Sequence, residues 1–394
     1  MVPCKQIIKK RSSGITDMRN SCRTWGNANP YFFHTPLHCI ASFPYTQDMA
    51  RLSKITRTIR RVSKVSLILF SIYLVFFLGT KIAAFIKNKY YPPPPPGPEC
   101  KFGQLPQVDF PPQSIARLTY KINTISGTLP FFPNTVVVYK FKTRDQKLRD
   151  LQIARERLRN IGFAKNETKI SNTLYQWQHT KIPNMFILYD ITSYNFEIHS
   201  DYTKDNEVLS GINLPRDTSK LKLFILGELQ KMGQDLSDID DTKTSFTYLR
   251  IFRNSLVQVD TINEAQVVRI DLFQKPIENK TIYYPQPNRT NMYFLVGSGS
   301  SEKQPKIVEG YFTHLIADRN AVSTYPLKPT FTAYEQLLKG EAYIINEGGF
   351  TEIDISDLTL GYYLGSNTQE YLMPIFVFEG RGFKALVHAS SICQ

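Results

Sequence analysis

The sequence predicts an α+β protein: a single N-terminal transmembrane helix followed by an ectodomain of repeated helix-plus-antiparallel-sheet units. Three observations predict it. An uncharged apolar run begins at Val65 behind a basic stretch, five consecutive prolines follow it, and beyond them come three capped helical stripes, each trailed by short β-branched and aromatic runs. With 394 residues, 42% of them hydrophobic and 13% aromatic, the chain has the material for a large core.

The first element, residues 1–64, is a basic cytoplasmic tail. Of the 48 Lys plus Arg and 34 Asp plus Glu, residues 1–91 hold 15 and 2; by subtraction the remainder holds 33 and 32. Of the formal charge of +14, residues 1–91 therefore carry 15 − 2 = +13, and the larger part, at 33 − 32 = +1, is balanced. Phosphate neutralisation needs a basic face on a folded module, so nucleic acid is excluded as a partner. The first 48 residues show neither helical nor strand periodicity and read as disordered, with Met49 as a candidate natural start. His34, His38 and Cys39 lack metal-ligand spacing.

The second element is the transmembrane helix, residues 65–86. Its 22 residues span about 33 Å at 1.5 Å each, enough for a hydrocarbon core of about 30 Å. Lys81 lies in the last turns, from where its ammonium reaches the headgroups. Arg51, Lys54, Arg57, Arg60, Arg61 and Lys64 precede the run, which points the N-terminus inward. Residues 87–101 are a proline-rich linker, extended as polyproline II and holding the ectodomain off the bilayer.

Three α+β units are expected beyond it, at 102–203, 204–310 and 311–394. The first helix is placed at 143–162, with Thr143 and Gln146 as a capping box, a stripe of Leu148, Leu151, Ala154, Leu158 and Ile161, and Gly162 as the stop. The second runs from Asp217 to a stop at Gly233, with Leu221, Phe224, Ile225, Leu229 and Met232 on one side. The third starts at Thr332 and stops at Gly340. Strands follow each: LYQWQHT, MFILYDI and NFEIHS; then FTYLRIF, SLVQVD and AQVVRIDLF; then AYIINEG, FTEIDISDLTLGYYL, YLMPIFVFEG and FKALVHAS. In such a meander a helix buries one sheet face and leaves the other free.

Cys100 and Cys393 are the two cysteines beyond the apolar run; a bridge would tie the ends of the ectodomain together, but two unpaired cysteines are the favoured reading. No catalytic, cofactor or metal motif has the required spacing. The GSGSS at 297–301 lacks a phosphate loop's lysine and reads as a flexible hairpin loop, and Asp235, Asp238, Asp240 and Asp241 read as a solvated acidic loop. His179, His199, His314 and His388 read as structural or surface histidines.

The anchored organisation, with the stretches TAYEQLLKGEAYI and LGYYLGSNTQEYLMPIFVFEG, resembles the extracytoplasmic parts of the YycH and YycI regulatory proteins and the wider PepSY-like class. It also resembles anchored proteins of candidate-phylum bacteria with a proline-rich linker in the same place. The resemblance implies a partner-binding or regulatory role, with no residue roles to carry over. The expected function is a membrane-anchored extracytoplasmic protein-binding or regulatory module without catalytic activity, its partners the bilayer through 65–86 and another envelope protein. The alternatives are an envelope hydrolase whose site is assembled from dispersed residues, and a passive assembly component. In YLMPIFVFE both faces are apolar, which marks a central strand with two covers. One cover is the third helix; the other is a further part of the chain or a partner, which makes Tyr363, Met373, Ile375 and Val377 candidate partner contacts.

Overall fold

The apolar run lies inside one uninterrupted helix, α1 (Asp48–Tyr90). Within it the stretch Thr56–Lys87 is long and apolar enough to cross a membrane, by length and composition. The computed structural model describes residues 48–90, 97–113, 118–301, 304–367 and 369–393. Residues 1–47 of the tail expected to be disordered, with His34, His38 and Cys39, and the five prolines of the linker lie outside the described residues, whereas residues 48–64 of that tail are not disordered but helical, as the start of α1. The chain divides into a unit ending at Pro94 and a larger one beginning at Pro95.

In the larger unit the chain runs β1 (Thr119–Ile122), β2 (Thr135–Phe141), α2 (Asp150–Arg159), β3 (Phe163–Lys169), β4 (Leu174–His179), β5 (Phe186–Asp190), β6 (Phe196–His199), α3 (Asn206–Ser210) and α4 (Thr218–Lys231). It continues through β7 (Ile239–Phe252), β8 (Ser255–Gln258), β9 (Val267–Gln274), β10 (Ile282–Tyr283), β11 (Met292–Ser301), β12 (Gln304–Phe312) and β13 (Ala317–Pro326). Last come α5 (Thr330–Leu338), β14 (Tyr343–Glu347), β15 (Glu352–Tyr363), β16 (Tyr371–Gly380) and β17 (Phe383–His388).

The α+β class holds, but the three sequential units do not. The strands form two sheets: a nine-stranded one in the order β3-β4-β5-β6-β12-β11-β9-β7-β8, and an eight-stranded one built on β1-β15-β16-β17-β14. The strands before α2 belong to the C-terminal sheet: β1 pairs with β15 in parallel, and β2 pairs antiparallel with β13 and β16. The nine-stranded sheet is thus an insertion between strands that pair with one another, a long-range arrangement that local periodicity does not encode.

The second helix follows the sequence reading closely. Asp217 caps α4 by accepting the Ser219 N–H at 2.9 Å, and Leu221, Ile225 and Leu229 are buried; each such burial contributes about 1.5–3 kcal/mol. Gly233 then takes the left-handed conformation at φ +67°. The first helix starts later than Thr143. The buried Asp150 accepts the Lys147 N–H at 2.7 Å and pairs with Arg144, so the turn before α2 is built on Asp150, and Leu148 points fully into solvent. The third starts at Thr330, behind Pro329, and Gly340 ends it with φ +76°. Residues 297–301 are not a flexible loop: β11 continues through them, and Ser298 is buried. A Cβ at Gly297 would sit 3.1 Å from both Val208 methyls, so glycine is what admits α3 against this strand.

Cys100 and Cys393 are bonded, contrary to the unpaired reading, across 293 residues of sequence. Both ends of the unit lie along β13. Glu99 and Cys100 donate their N–H groups to the Thr324 carbonyl at 3.0 and 3.1 Å, and Ser391 N–H donates to the Pro326 carbonyl at 2.8 Å. That shared strand brings the two Cα atoms to 6.2 Å, within the range a disulfide needs.

Candidate binding surfaces

Strand β16 is central, between β15 and β17, and both of its faces are covered by the chain itself. Phe376 and Phe378 pack in the core under α5 with Ala333 and Leu337. Ile375 and Val377 pack on the other side with Tyr343, Tyr363 and Leu386, closed over by Val108 and Phe110. Phe110 stacks on Tyr343 at 5.3 Å and meets Tyr363 edge-on at 4.8 Å. Gln113 fastens this strap to the β14 edge, donating to the Ala342 carbonyl at 2.9 Å and accepting the Ile344 N–H at 3.1 Å. Tyr363, Met373, Ile375 and Val377 are each no more than 2% exposed. They are core, not partner contacts, because the extended segment following Leu105 supplies the second cover.

The nine-stranded sheet differs. On one face Trp177, Ile187, Tyr189, Phe196, Ile198 and Phe294 are buried in a core with Ala154 and Leu158 of α2 and Leu221, Ile225 and Leu229 of α4. On the other face α3 covers one end, where Val208 packs on Leu249, Val267, Leu295 and Val308. The rest is half-exposed. The register lines up a row straight across it: Gln176 faces Leu188, Leu188 faces Glu197, Glu197 faces Tyr311, Tyr311 faces Tyr293, and Tyr293 faces Asp271. Directly opposed residues share a face, so these side chains form one continuous surface.

The row is held rigidly at its centre. The Tyr293 and Tyr311 rings stack with centres 6.0 Å apart, and the Arg269 guanidinium lies 3.7 Å from the Tyr293 ring centre. Arg269 makes a two-point contact with the buried Asp271, at 2.8 and 2.9 Å. Tyr293 donates its hydroxyl to Glu309 at 3.2 Å; burial, then that carboxylate, push its pKa up to about 12, so it is a donor at neutral pH. At the end of the row a hollow of about 300 Å³ is lined by Arg269, Tyr293, Tyr311, Gln286, Arg289 and Asn291.

A larger cleft of about 660 Å³ lies beside the disulfide, lined by Leu105, Tyr325, Lys328, Pro329, His388 and Ile392 among others. His388 Nε2 is 2.6 Å from Ser390 Oγ. Burial, aided by the Lys328 charge, pushes the imidazole down to about 4, so it is neutral at physiological pH. Only distant segments assemble this cleft, and no spacing in the sequence signals it.

Among the described residues the other histidines each have a partner within hydrogen-bond distance. His314 is 2.8 Å from Asp238, which also accepts from Gln274 at 2.9 Å, so one member of the acidic cluster serves a polar network in the interior. His199 is 3.2 Å from Glu197, and His179 Nδ1 accepts the Ile182 N–H at 2.9 Å. Among the described residues no group of three His, Cys, Asp or Glu could hold a metal ion.

No family model and no curated protein matches this chain. Among solved structures it is similar to an uncharacterized protein from Eubacterium rectale ATCC 33656, at 8% identity and a TM-score of 0.33, over 66% of this chain and 85% of that one. A likeness of that size supports no conclusion about either fold or function.

Proposed function

We propose that this chain is a membrane-anchored, extracytoplasmic protein-binding or regulatory module, acting by contact and not by catalysis. In this reading α1 is a single-pass anchor with its N-terminus in the cytoplasm, and another envelope protein docks on the open face of the nine-stranded sheet. The row from Gln176 to Tyr293 is the observation that carries it. Tyrosine and arginine dominate the energetics of protein interfaces because they bring large, stiff contact area with a polar tip. Here two tyrosines and an arginine are held in place by stacking and a two-point ion pair before any partner arrives, which lowers the entropy cost of binding.

Two facts support the placement across the membrane. Six basic residues, from Arg51 to Lys64, precede the apolar run, the arrangement that retains an N-terminus inside. The Cys100–Cys393 bridge suits an oxidising compartment on the far side. The resemblance to the PepSY-like class points to the same kind of role.

The test is photo-crosslinking in intact cells expressing the full chain, with the reactive amino acid at Tyr311 or Leu188 on the open face, or at Leu223 on the exposed side of α4. A discrete adduct from the first two positions, absent from the third, is the expected result. Equal labelling at all three, or none at any, overturns the reading.

A further inference from the structure

Among the described residues, the cleft beside the disulfide holds a cation with no anion paired to it. Lys328 lines its wall, half-buried, and among the described residues no carboxylate lies within ion-pair distance of its ammonium. Its two recorded partners are neutral acceptors: Gln336 Oε1 at 2.6 Å and the His388 carbonyl at 2.8 Å. An ammonium has three N–H donors, so one is left over. The nearest acid in this network, Glu341, is one amide away, accepting from Gln336 Nε2 at 3.0 Å, and is exposed. Taking a charge out of water without a counter-charge is costly, and the cost is felt here: desolvation holds the Lys328 ammonium below its ordinary acidity range despite Glu341.

The rest of the cleft is of a different character. Leu105, Tyr325, Pro329 and Ile392 give it apolar walls, Ile392 being 73% exposed at the rim, and its volume of about 660 Å³ lies within the range of small-ligand sites, about 300–1,000 Å³. His388, being neutral, adds no second charge, and Ser390 Oγ engages it at 2.6 Å.

We infer that this cleft binds a small amphiphilic carboxylate, its head accepting a hydrogen bond from Lys328 and its hydrocarbon tail lying along Leu105, Tyr325, Pro329 and Ile392. The charge complement selects the head and the apolar walls select the tail. A neutral amphiphile leaves Lys328 unmatched, and a carboxylate without a tail leaves the walls in water. This site is separate from the open sheet face and does not depend on what docks there.

The experiment is calorimetric titration of octanoate into the full chain held in lipid nanodiscs, with empty nanodiscs as reference, compared with octanol and acetate. Octanoate should bind in excess of the reference, and octanol and acetate each about tenfold more weakly or worse, the factor expected when a charge-assisted hydrogen bond or the tail contact is missing. Lys328→Met should weaken octanoate by about tenfold or more, and Lys328→Arg should restore most of it. Should Lys328→Met lose the native melting transition, Ile392→Asp decides instead: placing an acid on the exposed rim should lower octanoate affinity by a similar factor. No octanoate heat above the reference, equal binding of octanol and octanoate, or undiminished binding in a folded Lys328→Met or Ile392→Asp chain would overturn the inference.

Discussion

In the eight-stranded sheet, β16 presents Phe376 and Phe378 on one face and Ile375 and Val377 on the other, and α5 and the strap at Val108 and Phe110 cover them. In the nine-stranded sheet, two helices cover one face and α3 covers only one end of the other, leaving the row of Gln176, Leu188, Glu197, Tyr311 and Tyr293 half-exposed. The nine-stranded sheet is antiparallel throughout and the eight-stranded one is mixed, and they differ also in what the chain lays over their second face. Side-chain chemistry follows that difference. Where the second face is sealed it is apolar, with Ile375, Val377 and Leu386 beside Tyr343 and Tyr363, and where it is open it mixes tyrosines with Gln176 and Glu197, because an unsealed wholly apolar surface would aggregate.

The sharpest way to break this comparison is one charge on each open or sealed face. Ile375→Asp buries a carboxylate with no partner and should cost about 5 kcal/mol or more, enough to unfold the unit. Leu188→Asp, at the half-exposed row, should cost about 1 kcal/mol or less. Urea unfolding monitored by circular dichroism reads both, and similar costs would erase the distinction between the faces.

The bridge closes a loop of 293 residues, so Cys393→Ser should destabilise by up to about 5.5 kcal/mol on loop-entropy grounds. The loss should fall first on the eight-stranded sheet, whose β13 holds both ends of the larger unit. Hydrogen exchange is expected to show β2 and β13 losing protection while β4 and β5, around the buried Trp177, retain it; uniform loss would mean that the sheets unfold as one body.

Acid should discriminate the sheets again, through His388 at the end of β17. Its folded value of about 4 lies below the ordinary histidine value of 6.5, so the unfolded chain takes up the proton first. The native state is therefore at full advantage above pH 6.5 and loses up to about 3 kcal/mol as pH falls towards 4. In a His388→Asn chain that part of the pH-stability profile should flatten, while an unchanged acid limb would assign the loss to other groups.

The strap is expected to matter less than the bridge or His388. Phe110→Ala removes one ring from over Tyr343 and Tyr363 and should cost about 2 kcal/mol, with increased exchange at the β14 edge that Gln113 fastens. A change below about 0.5 kcal/mol would show that the second face of β16 is closed without it.

The apolar helix, the α4 pattern from Asp217 to Gly233 and the central position of β16 were legible in the sequence, because each is written in residues close together: an uncharged run, a cap with a 3.6-residue stripe, and a strand apolar at successive positions. The late start of α2 was not, since Asp150 in place of Thr143 organises that turn through Arg144 and Lys147. Nor was the strap at Val108 and Phe110, which has no period to recognise and gains its role from Tyr343 and Tyr363, more than 200 positions away. The same holds for the disulfide, which depends on both chain ends running along β13, and for the cleft at Lys328 and His388.

Local pattern thus determined the apolar span, the helix at Asp217 and most strands, but not the start of α2 or the continuation of β11 through 297–301. Tertiary structure alone decided which strands pair across the insertion, which faces are sealed and which cysteines meet. The physical reason is one of range: capping bonds and side-chain periodicity act over three or four residues, whereas cover, pairing and clefts depend on contacts whose sequence separation carries no local signal.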